Sequence, residues 1–351
     1  MAQTALGCAR PQGGRLDILI VKHGALGDVV RTSWLLSGLH ERFGPETRVD
    51  WLTAPGAADL LRFNPLVDRI LTATTRLRPH YEWVLSLDDE QHAVEAASSA
   101  RCDRFSGAVL RGGRCDYTED MAPWFDMGLL SHFGKARADA LKLENTASHS
   151  ALFSAMLDVP ITHATFFNSA VREARWKSVL RADARGAVFG INAFAGGRWP
   201  AKALPAPALS ELLQHLLGAA ELGVGRVVLF SEERARAEAL LAELPASLAS
   251  HVVVPDTSES TLDLAAAIRA VDYLVTTDSL ALHLAVAQSV PNLSFYAPTS
   301  AAEIETFGTG VKLLSTAPDY CSYRGDADNT SITAARLLPL LTEHWTRLRG
   351  T

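Results

Sequence analysis

An apolar run, a polar turn and a helix-forming run follow one another within residues 271–300. Residues 273–276 predict a buried strand, residues 280–288 predict an Ala- and Leu-rich helix, and a second strand is predicted at Asn292–Tyr296. This order is typical of a parallel sheet, whose ligands bind at the carboxyl edge, where a helix N-terminus favours an anion. The turn 277–279 lies at that edge, either as a ligand site or only as the cap of the helix.

A similar unit opens the chain. Residues 16–22 predict an apolar strand, and residues 29–42 predict a helix. Gly24 and Gly27 in the turn between them permit a tight bend and the close approach of a ligand to the backbone. Asp28 ends this turn, and two interpretations of it stay open. It is either an N-cap or a carboxylate at the mouth of a cleft, placed to accept a proton.

A dinucleotide-binding site is the alternative for this first unit. The strand Arg48–Leu52 carries Asp50, where such proteins have an acid that binds ribose. The turn before it holds only two glycines, however, and lacks the three-glycine fingerprint of dinucleotide-binding proteins. A dehydrogenase is therefore the weaker interpretation.

Length, charge and cysteine spacing limit the class of protein. We expect two domains from 351 residues, and a net charge of −6 argues against a general nucleic-acid binder. The four cysteines are scattered, without C-x-x-C pairs or zinc-type Cys/His spacing, which favours reduced thiols in a cytosolic protein. No run approaches the roughly 20 apolar residues of a membrane span, so a cytoplasmic location is expected.

A second α/β unit is predicted from the strand Ala187–Asn192 onward, after a crossing at residues 160–168. Two glycines, Arg198 and Lys202 follow this strand. A strand, glycines and two cations favour an anion cradle, and the alternative is a flexible loop with incidental charges.

Several segments of the first unit are less regular. Residues 101–114 carry four arginines, which are either solvated or form an anion-binding loop for an acidic acceptor. The aromatic and apolar residues 121–130 suggest a lid or docking surface. The acids at 88–90 close a predicted strand, as a solvated loop or as the lining of a substrate cleft. A helix at 145–157 is expected to be the last of the first domain.

Three blocks of the sequence carry a family resemblance. Residues 18–30, ILIVKHGALGDVV, are similar to an opening strand with an L-G-D motif. Residues 198–200 resemble a basic-Trp-Pro block, and residues 275–283 with 295–299 resemble D-[ST]-G-x-x-H-x-A-A and G-P-T segments. In this order and spacing, which fit along nearly the whole chain, the blocks resemble glycosyltransferase family 9, the group of the ADP-heptose:lipopolysaccharide heptosyltransferases.

The resemblance implies an α/β fold of the GT-B type, in which two Rossmann-like domains with parallel sheets face a central cleft. An N-terminal acceptor domain with the catalytic base is implied at 15–168, and a C-terminal nucleotide-sugar domain at 169–331. A C-terminal helix at 332–351 is expected to pack back on the N-terminal domain.

The resemblance also implies roles for single residues. Asp28, the Asp of L-G-D, corresponds to the proposed general base of the family. An acid after the strand at 226–230 contacts the nucleoside ribose in relatives, and Glu232 or Glu233 corresponds to it. Gly27 and Lys202 are added to the donor site because a glycine permits close approach and a lysine supplies positive charge. The residues implied to bind the donor diphosphate are Arg198, Thr277, Asp278, Ser279 and His283.

The implied reaction is an inverting, metal-independent transfer of a sugar, heptose from ADP-heptose, to a hydroxyl of a lipopolysaccharide core or related glycan. No cofactor and no nucleic acid are expected, and a peripheral position at the inner membrane face would suit such an acceptor. The alternatives are another GT-B nucleotide-sugar enzyme, such as an epimerase or a transferase with a different donor, and a non-catalytic nucleotide-sugar-binding relative. Leu280 and Ala297 stand where the family usually has glycine, which bears on the identity of the donor.

Overall fold

The chain folds into two α/β units, each built on one six-stranded sheet. The computed structural model describes residues 16–195, 199–231 and 234–350. Within these residues, none of the helices combines the length and the apolar character needed to cross a membrane.

The first domain carries the first sheet. Its strands are β1 (Asp17–Val21), β2 (Arg48–Leu52), β3 (Arg69–Leu71), β4 (Tyr81–Ser86), β5 (Cys102–Arg111) and β6 (Arg114–Tyr117). Its helices are α1 (Leu26–Ser33), α2 (Leu35–Phe43), α3 (Gln91–Ser98), α4 (Ala122–Phe125), α5 (Lys135–Glu144) and α6 (His149–Leu157), with 3-10 turns at Pro55–Leu61, Thr74–Arg76 and Glu119–Met121. The spatial order is β3-β2-β1-β4-β5-β6, parallel except for the β5–β6 hairpin. The chain direction across the sheet reverses between β1 and β4, so a ligand is expected beyond these two strands.

The second domain carries the second sheet. Its strands are β7 (Ala187–Asn192), β8 (Val224–Leu229), β9 (Val252–Val253), β10 (Tyr273–Thr277), β11 (Asn292–Tyr296) and β12 (Gly310–Leu314). Its helices are α7 (Ala170–Arg181), α8 (Ala206–Gly218), α9 (Arg234–Ala242), α10 (Ala246–Ala249), α11 (Thr261–Arg269), α12 (Leu280–Ala287) and α13 (Ala334–Gly350), with 3-10 turns at Pro200–Lys202 and Ala220–Leu222. The order is β12-β11-β10-β7-β8-β9, with parallel pairing throughout, and it reverses between β7 and β10. The expected α/β architecture with two Rossmann-like sheets is therefore confirmed.

Continuous apolar runs explain why the central strands form where they do. Strands β10 and β11 are buried along their whole length, and β1 is buried from Ile18 onward. Strands of a parallel sheet are covered by helices on both faces, so their sequences are apolar without alternation. The expected bounds at Arg48–Leu52, Ala187–Asn192 and Asn292–Tyr296 agree with β2, β7 and β11.

Three expectations for the first domain are wrong in detail. The single helix expected at 29–42 is two helices, α1 and α2, joined at Trp34. Residues 101–114 are mostly regular, because residues 102–111 form β5 and residue 114 begins β6. Only the middle of β5 is buried, so its apolar signal is weak. The helix expected from residue 145 begins at His149, after Ser148 caps it by accepting the N–H of Ala151.

Residues 121–130 belong mainly to the core. Met121, Phe125 and Met127 are buried, and Tyr117 stacks on Phe125 with ring centroids 5.5 Å apart. Leu129 at the end of the segment is 85% exposed. The segment is thus anchored at its start and exposed at its end.

Asp50 has a structural role in the first sheet. It is fully buried in β2, and it accepts hydrogen bonds from Arg69, from Nε and Nη2 of Arg78 at 2.9 Å and from the Tyr81 hydroxyl at 2.8 Å. Both oxygens are occupied by protein donors, so the carboxylate is not free for a ribose. Asp50 therefore cannot serve as the ribose-binding acid that the dinucleotide-binding interpretation requires.

The last helix, α13, packs on the second domain, not on the first domain as expected. Leu337 and Leu341 are buried in the same cluster as Phe189 of β7. The hydroxyl of Tyr273 lies 2.9 Å from Nδ1 of His344, and the indole of Trp345 donates to the Leu222 carbonyl at 2.9 Å. An apolar face with i, i+4 spacing fits the open side of this sheet.

The two domains meet through a continuous apolar cluster. It includes Val29 and Val30 of α1 together with Ala281 and Leu282 of α12. The rings of Trp34 and Phe307 meet edge-on at 5.5 Å, and the backbone N–H of His149 donates to the Glu303 carbonyl at 2.8 Å. These contacts fix where the carboxyl edges of the two sheets face each other.

Candidate active site

The first half of the candidate site is the start of α1, which follows β1 at the switch point of the first sheet. Asp28 lies in the first turn of α1, where the helix dipole favours a negative charge. The carboxylate makes no side-chain cap, and Arg31 Nη2 lies 2.9 Å from Asp28 Oδ1. Since 32% of the Asp28 side chain is exposed, the carboxylate remains reachable from the cleft.

The turn before α1 is held by an acid that closes β4. Asp88 is buried, and its Oδ2 accepts the backbone N–H groups of His23 at 2.8 Å and Gly24 at 3.3 Å. Lys22 Nζ lies 3.6 Å from the same oxygen. Asp88 is therefore neither solvated nor part of the cleft lining, and it fixes the loop that presents Asp28.

The charge state of Asp28 follows from opposing influences. Burial raises the pKa of this carboxyl group, but Arg31 and Lys22 lower it, and the net pKa lies below the usual range. His283 from the second domain acts in the same direction, whereas Asp278 opposes it. Asp28 is ionised at neutral pH, as a proton acceptor must be.

The second half of the candidate site is the turn between β10 and α12, at the switch point of the second sheet. Asn192 at the end of β7 donates from Nδ2 to Thr276 Oγ1 at 3.1 Å and to Ser279 Oγ at 2.9 Å. Thr277 is buried, and its carbonyl lies 3.4 Å from Ser279 Oγ. The ends of the two central strands are thus tied together.

The capping interpretation of this turn is not supported by the geometry. Ser279 occupies the N-cap position of α12, but its side chain does not cap the helix. The first N–H groups of a helix have no partner within the helix. The N-terminus of α12 therefore keeps its capacity to bind an anion.

Lys202 and Asp278 form a pair beside this turn. Lys202 Nζ lies 2.9 Å from both Oδ2 and the carbonyl oxygen of Asp278. Burial raises the pKa of Asp278, but Lys202 and His283 outweigh it and hold the pKa well below the usual range. Lys202 thus lies where the second-domain anion site was expected.

His283 of α12 contacts the first domain at Gly27. It is 4% exposed, and burial together with Arg31 lowers its pKa to about 4. Its Nε2 lies 3.9 Å from Asp278 Oδ1, and its buried Nδ1 has no partner among the residues that the structure describes. At neutral pH, His283 is therefore an uncharged imidazole.

Gly27 is the point at which α1 and α12 cross. A Cβ added there would lie 2.7 Å from Cδ2 of His283 and 3.5 Å from Cα of Leu280. The glycine thus admits the His283 ring, in addition to any role in the approach of a ligand. This crossing brings the turns of Asp28 and Asp278 close together, and Asp278 and His283 both act on the pKa of Asp28.

The structure brings together most of the residues that were expected to form the site. Asp28, Gly27 and His283 meet at the crossing, and Lys202, Thr277, Asp278 and Ser279 lie next to it. Arg198, Glu232 and Glu233 lie outside the described residues, so their expected contacts remain predictions.

Three residues of the cleft were missed in the sequence. Arg31 follows Asp28 by one helical turn, and this i, i+3 spacing of opposite charges was the available signal. Asn192 ends a predicted strand at the carboxyl edge, which is also a signal. No sequence signal pointed to Glu303. It is buried, the hydroxyl of Tyr323 donates to its Oε1 at 2.8 Å, and burial raises the pKa of its carboxyl group.

The family described as glycosyltransferase family 9 (heptosyltransferase) matches residues 117–328, more than half of the chain. The chain belongs to glycosyltransferase family 9. The expected resemblance is confirmed, and the protein is a glycosyltransferase.

Solved structures show the same fold. A family 9 glycosyltransferase from Veillonella parvula aligns with a TM-score of 0.70 at 14% identity, over 95% of this chain and 98% of that chain. The E. coli ADP-heptose lps heptosyltransferase II aligns with a TM-score of 0.64 at 16% identity, over 95% of this chain and 99% of that chain. E. coli heptosyltransferase WaaC with ADP aligns with a TM-score of 0.60 at 20% identity, over 94% of this chain and 100% of that chain. The GT-B fold is thereby confirmed. A search of the curated proteins gives no match.

Proposed function

We propose that this family 9 glycosyltransferase transfers heptose from ADP-heptose to a hydroxyl of a lipopolysaccharide core or related glycan, with inversion and without a metal. The observation that carries the proposal is the position of Asp28 in the first domain, across the cleft from the turn 277–279 and His283 in the second. A proton acceptor and an anion-binding helix N-terminus then lie on opposite sides of one space.

The proposed chemistry uses Asp28 as the general base. Asp28 accepts the proton of the acceptor hydroxyl while that oxygen attacks the anomeric carbon of the donor sugar. The bond between the anomeric carbon and the diphosphate oxygen breaks, and ADP leaves with the electron pair. Attack from the face opposite the leaving group inverts the configuration. The ionised state of Asp28 at neutral pH supports this role.

The donor diphosphate is proposed to lie at the N-terminus of α12. The uncapped N–H groups there and the positive charge of Lys202 would offset the charge that develops on the leaving group. Arg198 is proposed to add a second cation, and Glu232 or Glu233 to contact the ribose. Asp278 is negative, so we assign it to hydroxyl groups of the donor sugar and not to phosphate.

The names of two relatives support the choice of donor. One is described as an ADP-heptose lps heptosyltransferase, and another was solved with ADP. We therefore propose an adenine nucleotide with a heptose, and an acceptor that belongs to lipopolysaccharide or a related glycan.

Transfer is tested by incubating the protein with ADP-heptose, with and without a lipopolysaccharide-core acceptor. We expect release of ADP that depends on the acceptor, and retention of transfer in a chelator. Loss of transfer in the chelator, reversed by a divalent metal, would contradict the metal-free step. Consumption of the donor without acceptor would point to an epimerase or hydrolase.

Asp28→Asn tests the base. We expect turnover to fall by about 100-fold or more, with little change in the affinity for ADP-heptose, because general base catalysis contributes on that order. Binding is measured by calorimetry and turnover by ADP release. Near-normal turnover of Asp28→Asn would show that the base is another group.

The donor is tested separately by a panel of nucleotide sugars in a thermal-shift assay. We expect ADP-linked sugars to stabilise the protein more than UDP- or GDP-linked sugars. A larger shift with a UDP- or GDP-linked sugar would contradict the adenine nucleotide and leave the reaction class intact.

A further inference from the structure

One oxygen of the proposed base is already occupied by a neighbouring cation. Arg31 Nη2 lies 2.9 Å from Asp28 Oδ1, one turn further along the same helix. The Arg31 side chain is 11% exposed, whereas that of Asp28 is 32% exposed. The cation is therefore the more buried partner of the pair, and the carboxylate is the more exposed one.

Arg31 is constrained by its surroundings as well as by Asp28. Its Cζ lies 5.4 Å from the centroid of the Trp124 ring, within the range of a cation–π contact. Burial lowers the pKa of Arg31, but the negative charges of Asp28, Glu303 and Asp278 raise it above the usual value. Trp124 is in turn packed against His149 and Phe153 at 5.1 and 5.4 Å. A guanidinium held in this way has a defined position.

We propose that Arg31 is a positioning residue for the base: it holds Oδ1 of Asp28 and orients the carboxylate toward the acceptor. This inference rests on the proposed function of Asp28. A long side chain that stacks on one ring and pairs with one carboxylate restricts the rotamers of that carboxylate. The carboxylate oxygen that accepts the proton is then held in one orientation toward the acceptor hydroxyl, so less conformational entropy is lost on reaching the reactive geometry.

Several charged groups face Asp28 from the elements packed around it. Lys22 from the end of β1 and Arg31 from α1 favour the ionised carboxylate, and so does His283 from α12 when it is protonated. Asp278 after β10 and Asp89 after β4 disfavour it. Because His283 has a pKa of about 4, it is uncharged at neutral pH, and Lys22 also pairs with Asp88. Arg31 is then the cation in direct contact with the base.

The test is a titration of Asp28 by carbon NMR in protein labelled at the aspartate carboxyl groups, with the signal assigned by its loss in Asp28→Asn. We expect the wild-type midpoint to lie below the ordinary range of aspartate. In Arg31→Gln and Arg31→Met, we expect the proton affinity of Asp28 to rise about tenfold or more, because an opposite charge at this distance is removed. Arg31→Lys keeps the charge and should stay closer to wild type.

Arg42→Gln is the matched control. Arg42 makes an ion pair with Asp158 at 3.0 Å and lies 5.4 Å from the Phe43 ring, so its contacts resemble those of Arg31 away from the cleft. The Asp28 midpoint should not move in this variant. A merely structural role of Arg31 would lower thermal stability in the Arg31 variants without moving that midpoint.

Activity supplies a second readout. With ADP-heptose and acceptor, the acidic limb of the kcat/KM profile should move to higher pH in Arg31→Gln, so its activity relative to wild type should fall further as the pH is lowered. An unchanged midpoint in folded Arg31→Gln or Arg31→Met overturns the inference. If neither variant folds, a wild-type midpoint in the ordinary aspartate range overturns it. If no donor is turned over, the proposed function fails, while the titration still decides the role of Arg31.

Discussion

A single methyl group at position 27 would disturb the crossing of α1 and α12. An added Cβ would lie 2.7 Å from Cδ2 of His283, closer than carbon atoms in contact allow. We expect Gly27→Ala to lower the free energy of unfolding by about 1–3 kcal/mol, the usual cost of overpacking. Chemical denaturation measures it. Gly56→Ala is the control, because a Cβ there meets no atom within 4 Å. Equal losses in the two variants would contradict this account of the crossing.

Single residues of the site differ in how well the sequence reveals them. Asp28 and His283 could be found because each lies in a motif at the end of a predicted strand or in the helix after it. Arg31 was hidden by its position in a helix, where a charged side chain is normally solvated. Glu303 lies outside any regular element, so its burial depends on the contact between the domains.

Within the first sheet, Asp50 joins β2 to β3 and to the segment before β4. Breaking a buried ion pair leaves unpaired charge, so we expect Asp50→Asn to cost about 3 kcal/mol of stability at neutral pH. Burial raises the pKa of Asp50, but its hydrogen bonds with Arg69 and Arg78 lower the net value. Chemical denaturation at a series of pH values measures the difference between the variant and wild type.

The pH dependence of that difference has a definite sign. The folded pKa lies below the unfolded value of about 3.9, so the contribution of the ionised group is complete above that value. It is lost as the pH falls through the lower folded pKa. The gap between wild type and Asp50→Asn should therefore stay constant above about pH 5 and narrow below about pH 4. A gap that widens in acid would contradict the ionised network.

Elements were predictable where burial is uniform along a strand. β11 is buried along its whole length and β7 is buried except at its two end residues, and both were located to the residue. β12 was missed, because half-buried side chains line most of it, including Lys312, whose ammonium donates to the carbonyls of Ala301 and Ile304. A strand at the edge of a sheet presents a mixed pattern that a periodicity rule does not detect.

The whole molecule should unfold as one unit, because an apolar cluster runs through both domains. We expect a single thermal transition in which tryptophan fluorescence and far-UV circular dichroism change together. Phe307→Ala removes a half-buried ring that meets Trp34 across the domains. It should lower stability by roughly 2 kcal/mol, about half the cost at a fully buried site. Two separated transitions in the wild-type protein would contradict the shared core.

The assembly of the two domains was only partly predictable. The restart of the strand–turn–helix pattern at residue 187 indicated two sheets. It did not indicate which domain α13 covers, because an amphipathic helix fits any apolar surface of the right width. α13 packs on the second sheet through contacts such as that between Tyr273 and His344, which are far apart in the sequence.

The contact between Gly27 and His283 also bears on how this enzyme could be redesigned. A ring in one domain occupies the volume of a missing side chain in the other, so the two positions share one space. A library that varies position 283 alone samples only side chains that fit above a glycine. Pairing a smaller residue at 283 with alanine at 27 opens combinations that neither single change reaches, and the two sites should be randomised together.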